Sequence, residues 1–440
     1  MSNADATAPR PAWWHRLDAT GGGLGLDLGI YASSAAFAAL TAATSTLVTH
    51  RHWGSLAAVG YLTATLLVTC QLLVRRRRPD SALAGGVPAR WLVASLAWST
   101  VALLPLTWQS IQRAAGRTDR AQEEVLVVED SGRRLLETGT PYLGPDAIAA
   151  LPAGEQLLGY TPYQPGMALF GLPRALHDTW WTDARVWFAV GTALALVLAA
   201  RLLRPTPGLP ARNPATLLRG MQAATVFPVC ALTLATGGDD LPVLALCLLA
   251  LACAGTARPG WAGIAVGVAG ALKLFAWPVA LVLVIWGLTR RAGLRVAAGA
   301  FGLPALALLP VLLVDHEALV ENVLRFPLGH GLVASPAQSP FPGYLIAANV
   351  PAGRAVAAAL LVAAGLAIAV RLARRPPRTA ETISLICAYG LLAAILLMPT
   401  TRFGYLLYPI AFLVWAPALD LPRIGQPAGE EARQGVHLRA

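Results

Sequence analysis

An all-α bundle of membrane-spanning helices is the fold class this sequence predicts, on three observations. Hydrophobic residues make up 56% of the 440, charged residues only 13%, and mean hydropathy is +0.58. A water-exposed domain of this length cannot bury so much apolar sequence, because its surface must stay polar. The apolar residues fall in runs, several of them about 18 residues or longer, the length that crosses a bilayer. Arginine clusters separate the runs, the pattern that fixes orientation in membrane proteins.

In chain order the runs lie near residues 28–48, 55–74, 90–108, 184–203, 216–235, 241–256, 260–272, 275–289, 294–314, 352–370, 381–398 and 404–418, which predicts about twelve helices. The first forty residues are polar and then Gly-rich, unlike a cleavable signal peptide. After the second run, Arg75 to Arg78 and the stretch from Pro79 to Pro88 form a polar linker. Residues 1–88 therefore read as a cytoplasmic N-terminus with two appended helices, 89–419 as the core, and 420–440 as a disordered cytoplasmic tail. Further arginine clusters are Arg201, Arg204, Arg212 and Arg219; Arg290, Arg291 and Arg295; and Arg371, Arg374, Arg375 and Arg378. With all of them in the cytoplasm, the runs alternate without conflict and both termini are cytoplasmic. The runs 260–272 and 275–289 are short and predict a bent hairpin with Lys273 near its outer tip. The outer side then receives long loops at 110–182 and 315–350, and short ones at Gly237–Asp240 and Pro399–Arg402.

Several function classes are disfavoured. The formal net charge of +11 is 34 basic residues against 23 acidic ones, with arginines clustered in short groups between apolar runs, so it points to membrane lipids and away from nucleic acid. Cys70, Cys230, Cys247, Cys253 and Cys387 lie in apolar stretches without metal-ligand spacing and read as small core residues. The histidines are scattered, so no metal or other cofactor is expected. There is no phosphate-cradling Gly-rich loop ending in Lys-Ser/Thr, no Gly-x-Ser-x-Gly elbow and no His-Glu-x-x-His helix.

The outer loops carry the chemistry. The stretch QEEVLVVEDSGRRLLETGTPY holds Glu123, Glu124, Glu129, Asp130 and Glu137 ahead of a helix stop at Gly139 and Pro141. Such carboxylates suit a general base, though a solvated amphipathic helix has the same spacing. The following YTPYQPG turn, with Tyr160 and Tyr163, predicts a rigid aromatic wall; Tyr142 precedes it. Trp180, Trp181 and Trp187 read as interfacial belt residues. Lys273 is the only lysine, and with Arg402 it breaks the cytoplasmic pattern of basic residues. Two cations at the outer mouth of a bundle can hold a phosphate; snorkelling to the headgroups is the simpler alternative for Lys273. No acid lies within a helical turn of Lys273, so its partner is either Asp239 and Asp240 or a ligand phosphate.

From about residue 90 to 418 the chain resembles the GT-C class of polyprenyl-phosphate-sugar-dependent glycosyltransferases, most closely glycosyltransferase family 87. The resemblance rests on Glu124, Leu135, Leu136, Gly139 and Tyr142 in the first outer loop, on YTPYQPG, GGDDLPVLALCLLALA and AGIAVGVAGALKLFAWP, and on RFPLGHGLVASPAQSPFPG and PTTRFGYLLYP, in that order. It implies a GT-C fold and an active site on the extracytoplasmic face of a bacterial plasma membrane. It implies sugar transfer, with mannose as first guess, from a polyprenyl-phosphate donor to a lipid-linked or cell-envelope glycan acceptor. The family's catalytic aspartate corresponds to Glu124 here, with Asp130 as rival. Lys273 and Arg402 correspond to donor-phosphate ligands, and Tyr142, Tyr160, Tyr163, Asp239 and Asp240 to sugar or acceptor contacts. A transporter or flippase of a lipid-linked sugar is the second reading; it would need polar groups reached from both faces, whereas the cytoplasmic loops hold mostly arginine and proline.

Overall fold

The computed structural model describes residues 20–204 and 213–419; Arg212 and the expected tail at 420–440 lie outside them. Among the described residues there is no strand, only an isolated parallel bridge between Gln338 and Thr401. Each of the predicted apolar runs forms helix. We number the main helices α1 (Leu24–Thr44), α2 (Val48–Arg77), α3 (Val87–Ala114), α4 (Glu123–Thr138), α5 (Ala184–Leu203), α6 (Pro214–Thr225), α7 (Pro228–Thr236), α8 (Asp240–Gly255), α9 (Pro259–Leu272), α10 (Trp277–Thr289), α11 (Gly293–Val314), α12 (Gly353–Arg374), α13 (Ala380–Leu397) and α14 (Leu407–Leu419).

Among the described residues, seven helices are long and apolar enough to cross a membrane: α1, α2, α3, α5, α11, α12 and α13. The pair α6 and α7 makes an eighth if counted as one span bent by 43°. Pro228 lies at that break; it cannot donate a backbone N–H and so cannot continue the helix before it. The helices α8, α9, α10 and α14 are apolar but shorter. They are tolerated because they pack within the protein: nearly all of α8 is buried, so its backbone need not span lipid alone.

Small residues set the closest crossings. Where α9 meets α11, a Cβ on Gly267 would fall on the Gly299 carbonyl, and one on Gly263 would meet Val296 O. Glycine lets two backbones touch there, which is how tight helix pairs form in membranes. The first two helices pack directly on the rest: Trp53 Nε1 donates to Val101 O (2.8 Å) and Tyr61 Oη to Val226 O (2.5 Å). Val101 sits in the π-turn Ser99–Leu103 inside α3. Asp27 of α1 is buried and receives Arg90 Nε (2.5 Å), the Arg219 guanidinium and Gln222 Nε2 (2.9 Å). A buried carboxylate needs such partners.

The long loop after α3 is ordered by α4 and by a buried ion network. Arg113 forks onto Glu129 (2.8 and 2.6 Å) and reaches Asp183 (3.0 Å), which also binds Arg185 (2.8 Å). Burial would raise the Asp183 carboxyl, but the charges of Arg185 and Arg113 outweigh it and hold the group below the usual carboxylate range. This pins α4 to the start of α5.

Candidate active site

Four segments distant in sequence meet at one end of the bundle. The first is the start of α4. Glu124 lies in its first turn, where a carboxylate also favours the helix dipole. The second is the turn between α7 and α8. Gly238 has φ +94°, a left-handed conformation that needs glycine, and it delivers Asp239 and Asp240 to the N-terminus of α8. The third is the break after α9. Leu272 O accepts from Gln164 N (3.1 Å), Lys273 is extended (φ −155°, ψ 143°), and α10 restarts at Pro278 in its first turn. The fourth is the loop from Thr401 into α14, carrying Arg402, Tyr405 and Tyr408.

Lys273 Nζ donates to Asp239 Oδ2 and Asp240 Oδ1, both at 2.6 Å. Tyr408 Oη donates to the same Asp240 oxygen (2.8 Å). The rings of Tyr163 and Tyr405 flank the ammonium, with centroids 5.3 and 5.5 Å from Nζ, within cation–π range. Phe275 stacks on Tyr408 (5.2 Å) and leans on Tyr405 (4.6 Å). Beside this cluster the Arg402 guanidinium pairs with Glu124. The Arg402 side chain is 37% exposed and Glu124 18%, whereas Lys273, Asp239 and Asp240 are all below 10%. Burial works against the Arg402 charge, but the Glu124 carboxylate outweighs it and holds Arg402 more firmly protonated than usual. Burial, reinforced by Asp239 and Glu124, pushes the Tyr163 phenol well above its ordinary value.

The structure thus gives Lys273 the two aspartates as partners. The lysine is buried, so it does not extend to the headgroups. Tyr163 joins the cluster, whereas Tyr142 and Tyr160 brace the loop around it. Tyr142 Oη donates to Tyr163 O (2.7 Å). Tyr160 Oη donates to Glu321 (2.9 Å) and accepts from Leu332 N (2.8 Å), and its ring stacks on Phe326 at 4.1 Å. Asp130 is six residues beyond Glu124, which turns it to another face of α4; there it pairs with Arg133 (2.8 Å) and is 39% exposed. Tyr405 and Tyr408 were not among the residues expected from the sequence, although their i, i+3 spacing after Arg402 was a readable sign.

Carboxylates, cations and aromatic rings are therefore gathered at one place. A family model, Glycosyltransferase family 87, matches residues 160–399, more than half of the chain. The matched range includes Asp239, Asp240 and Lys273, while Glu124 and Arg402 flank it. The comparison with curated proteins finds no match. The matched range, the helical bundle and its apolar spans agree, and the chain is a membrane glycosyltransferase belonging to glycosyltransferase family 87.

Proposed function

We propose that the protein transfers a sugar, mannose by preference, from a polyprenyl-phosphate donor to a lipid-linked or cell-envelope glycan acceptor. The transfer takes place on the extracytoplasmic face of a bacterial plasma membrane. The observation that carries this reading is the Glu124–Arg402 pair beside the Lys273–Asp239–Asp240 cluster. Helix polarity supports the face. The same helices that begin or end at the cluster have their other ends at arginines: α8 runs from Asp240 towards Arg258, α9 from beside Arg258 to Lys273, and α10 from near Lys273 to Arg290.

In this mechanism the donor phosphate takes Arg402 from Glu124, the more exposed of the two cations meeting the anion with forked N–H groups. Lys273 uses two of its three N–H bonds on the aspartates, and the third is directed to the phosphate. The freed Glu124 carboxylate accepts the proton of an acceptor hydroxyl. The hydroxyl oxygen bonds to the anomeric carbon as the anomeric carbon–phosphate oxygen bond breaks, and polyprenyl phosphate leaves with the electron pair. Tyr163 and Tyr405 offer faces for the sugar ring. Tyr142 and Tyr160 act through the loop they brace.

The test is transfer of labelled sugar from polyprenyl-phosphate-mannose by the purified protein. Glu124→Gln should lose about a hundred- to ten-thousandfold in rate, the scale of general base catalysis, and still bind donor. Near-normal turnover in Glu124→Gln combined with loss in Asp130→Asn would move the base to Asp130.

A further inference from the structure

The turn that carries Glu124 is in contact with a residue from the first helix pair. Gln122 caps α4: its carbonyl accepts from Val125 N (3.1 Å), and its own N–H donates to Thr236 O (3.1 Å). Its side chain folds onto the same turn, with Oε1 3.0 Å from Thr236 Oγ1. The turn is shaped for this, since a Cβ on Gly237 would come within 2.9 Å of Gln122 Oε1 and 3.7 Å of Glu124 Oε2. On its other side the Gln122 amide lies 2.8 Å from His50 Nε2, near the start of α2. One hydrogen bond joins the two in either amide orientation: Gln122 donates to an unprotonated Nε2, or its oxygen accepts from a protonated one.

We propose that His50 is a positioning residue for the catalytic carboxylate: it fixes Gln122, and Gln122 fixes the first turn of α4 against the turn that carries Asp239. The proposal rests on the reading of Glu124 as the base. It makes the first helix pair part of the catalytic apparatus, since α2 supplies the outermost member of a chain His50–Gln122–Thr236 that runs between the base and the aspartates. Reacting groups displaced by about 1 Å can lose about a hundredfold in rate, so a residue two contacts from the chemistry has leverage on it.

Two readouts test this on the full-length protein in detergent, comparing wild type with His50→Leu, His50→Gln, Gln122→Ala and the double variant His50→Leu/Gln122→Ala. Gln offers an amide at the reach of Nε2 and can donate or accept; Leu can do neither. The first readout is amide hydrogen exchange at Gln122 and Val125, which does not depend on any substrate. Exchange should quicken in His50→Leu and return to the wild-type rate in His50→Gln, with the unfolding temperature unchanged. The second is turnover with polyprenyl-phosphate-mannose. For His50→Leu, kcat should fall ~10- to 100-fold at constant donor KM, and His50→Gln should recover most of it. The double variant should be no slower than Gln122→Ala, because both changes break one chain. Unchanged exchange and kcat in His50→Leu would overturn the proposal. So would equal losses in the Leu and Gln variants accompanied by equal drops in unfolding temperature, which mark a merely structural histidine. If the wild type does not use this donor but exchange still responds as expected, the donor reading fails and the positioning chain stands.

Discussion

At the scale of single residues, the site is a balance of charges more than a set of independent ligands. Lys273 lies between two buried carboxylates, and removing one member of such a group leaves uncompensated charge in low dielectric. Lys273→Met should therefore destabilise the fold by about 3–5 kcal/mol as well as impair transfer. Adding Asp240→Asn should restore part of that stability, because a neutral amide no longer needs the cation. Thermal unfolding in detergent of the two single variants and the double variant measures this. Additive losses would show that Lys273 and Asp240 do not interact. The sequence made Lys273 and Arg402 conspicuous, as basic residues outside the arginine clusters, and singled out Glu124 in the long loop after α3. It did not reveal the pairing. Asp239 lies 34 residues from Lys273, and Arg402 lies 278 from Glu124. No periodicity spans such distances; only the packed helices bring these residues together. His50 was hidden for the same reason, being one of several scattered histidines until α2 set it against Gln122.

At the scale of elements, the helices were legible because hydrophobic run length is a direct consequence of the solvent, while their breaks were only partly so. The run 216–235 reads as one helix, and Pro228 divides it into α6 and α7. The hairpin expected at 260–289 is present as α9 and α10, with Lys273 at the break. Crossing geometry depends on which glycine faces which backbone, and composition does not record that. Gly267 and Gly302 illustrate the difference. A methyl on Gly267 would strike the Gly299 carbonyl of the neighbouring helix, while one on Gly302 meets nothing within 4 Å. Gly267→Ala should destabilise the protein by about 1–3 kcal/mol, the usual effect of overpacking. Gly302→Ala should be neutral or slightly stabilising, since alanine is the better helix former. A shift in unfolding temperature confined to Gly267→Ala would bear this out; equal behaviour of the two variants would mean that α9 and α11 are not in backbone contact.

At the scale of the whole molecule, orientation can be tested without reference to activity. In a background lacking the five native cysteines, Pro145→Cys and Ser335→Cys should react in intact cells with an impermeant thiol reagent, and Pro376→Cys should react only after permeabilisation. Labelling of position 376 from outside would invert the molecule and place the candidate site in the cytoplasm. The short helices have a further consequence, which concerns depth. At about 1.5 Å per residue, the 16 residues of α8 reach ~24 Å and the 14 of α9 ~21 Å, against a hydrocarbon thickness of about 30 Å. With their arginine ends at one headgroup layer, Asp240 and Lys273 stop several ångströms short of the other. The candidate site is then a recess below the membrane surface, and a lipid-borne phosphate must leave the headgroup layer to enter it. On the proposed reading, the lipid-linked donor approaches sideways from the bilayer, and the acceptor hydroxyl must descend to meet it. Leu274→Cys, next to Lys273 and exposed, should consequently react much faster with a small lipid-soluble thiol reagent than with a charged one, whereas Pro145→Cys should show little preference. Equal preference at the two positions would mean that the site lies level with the surface.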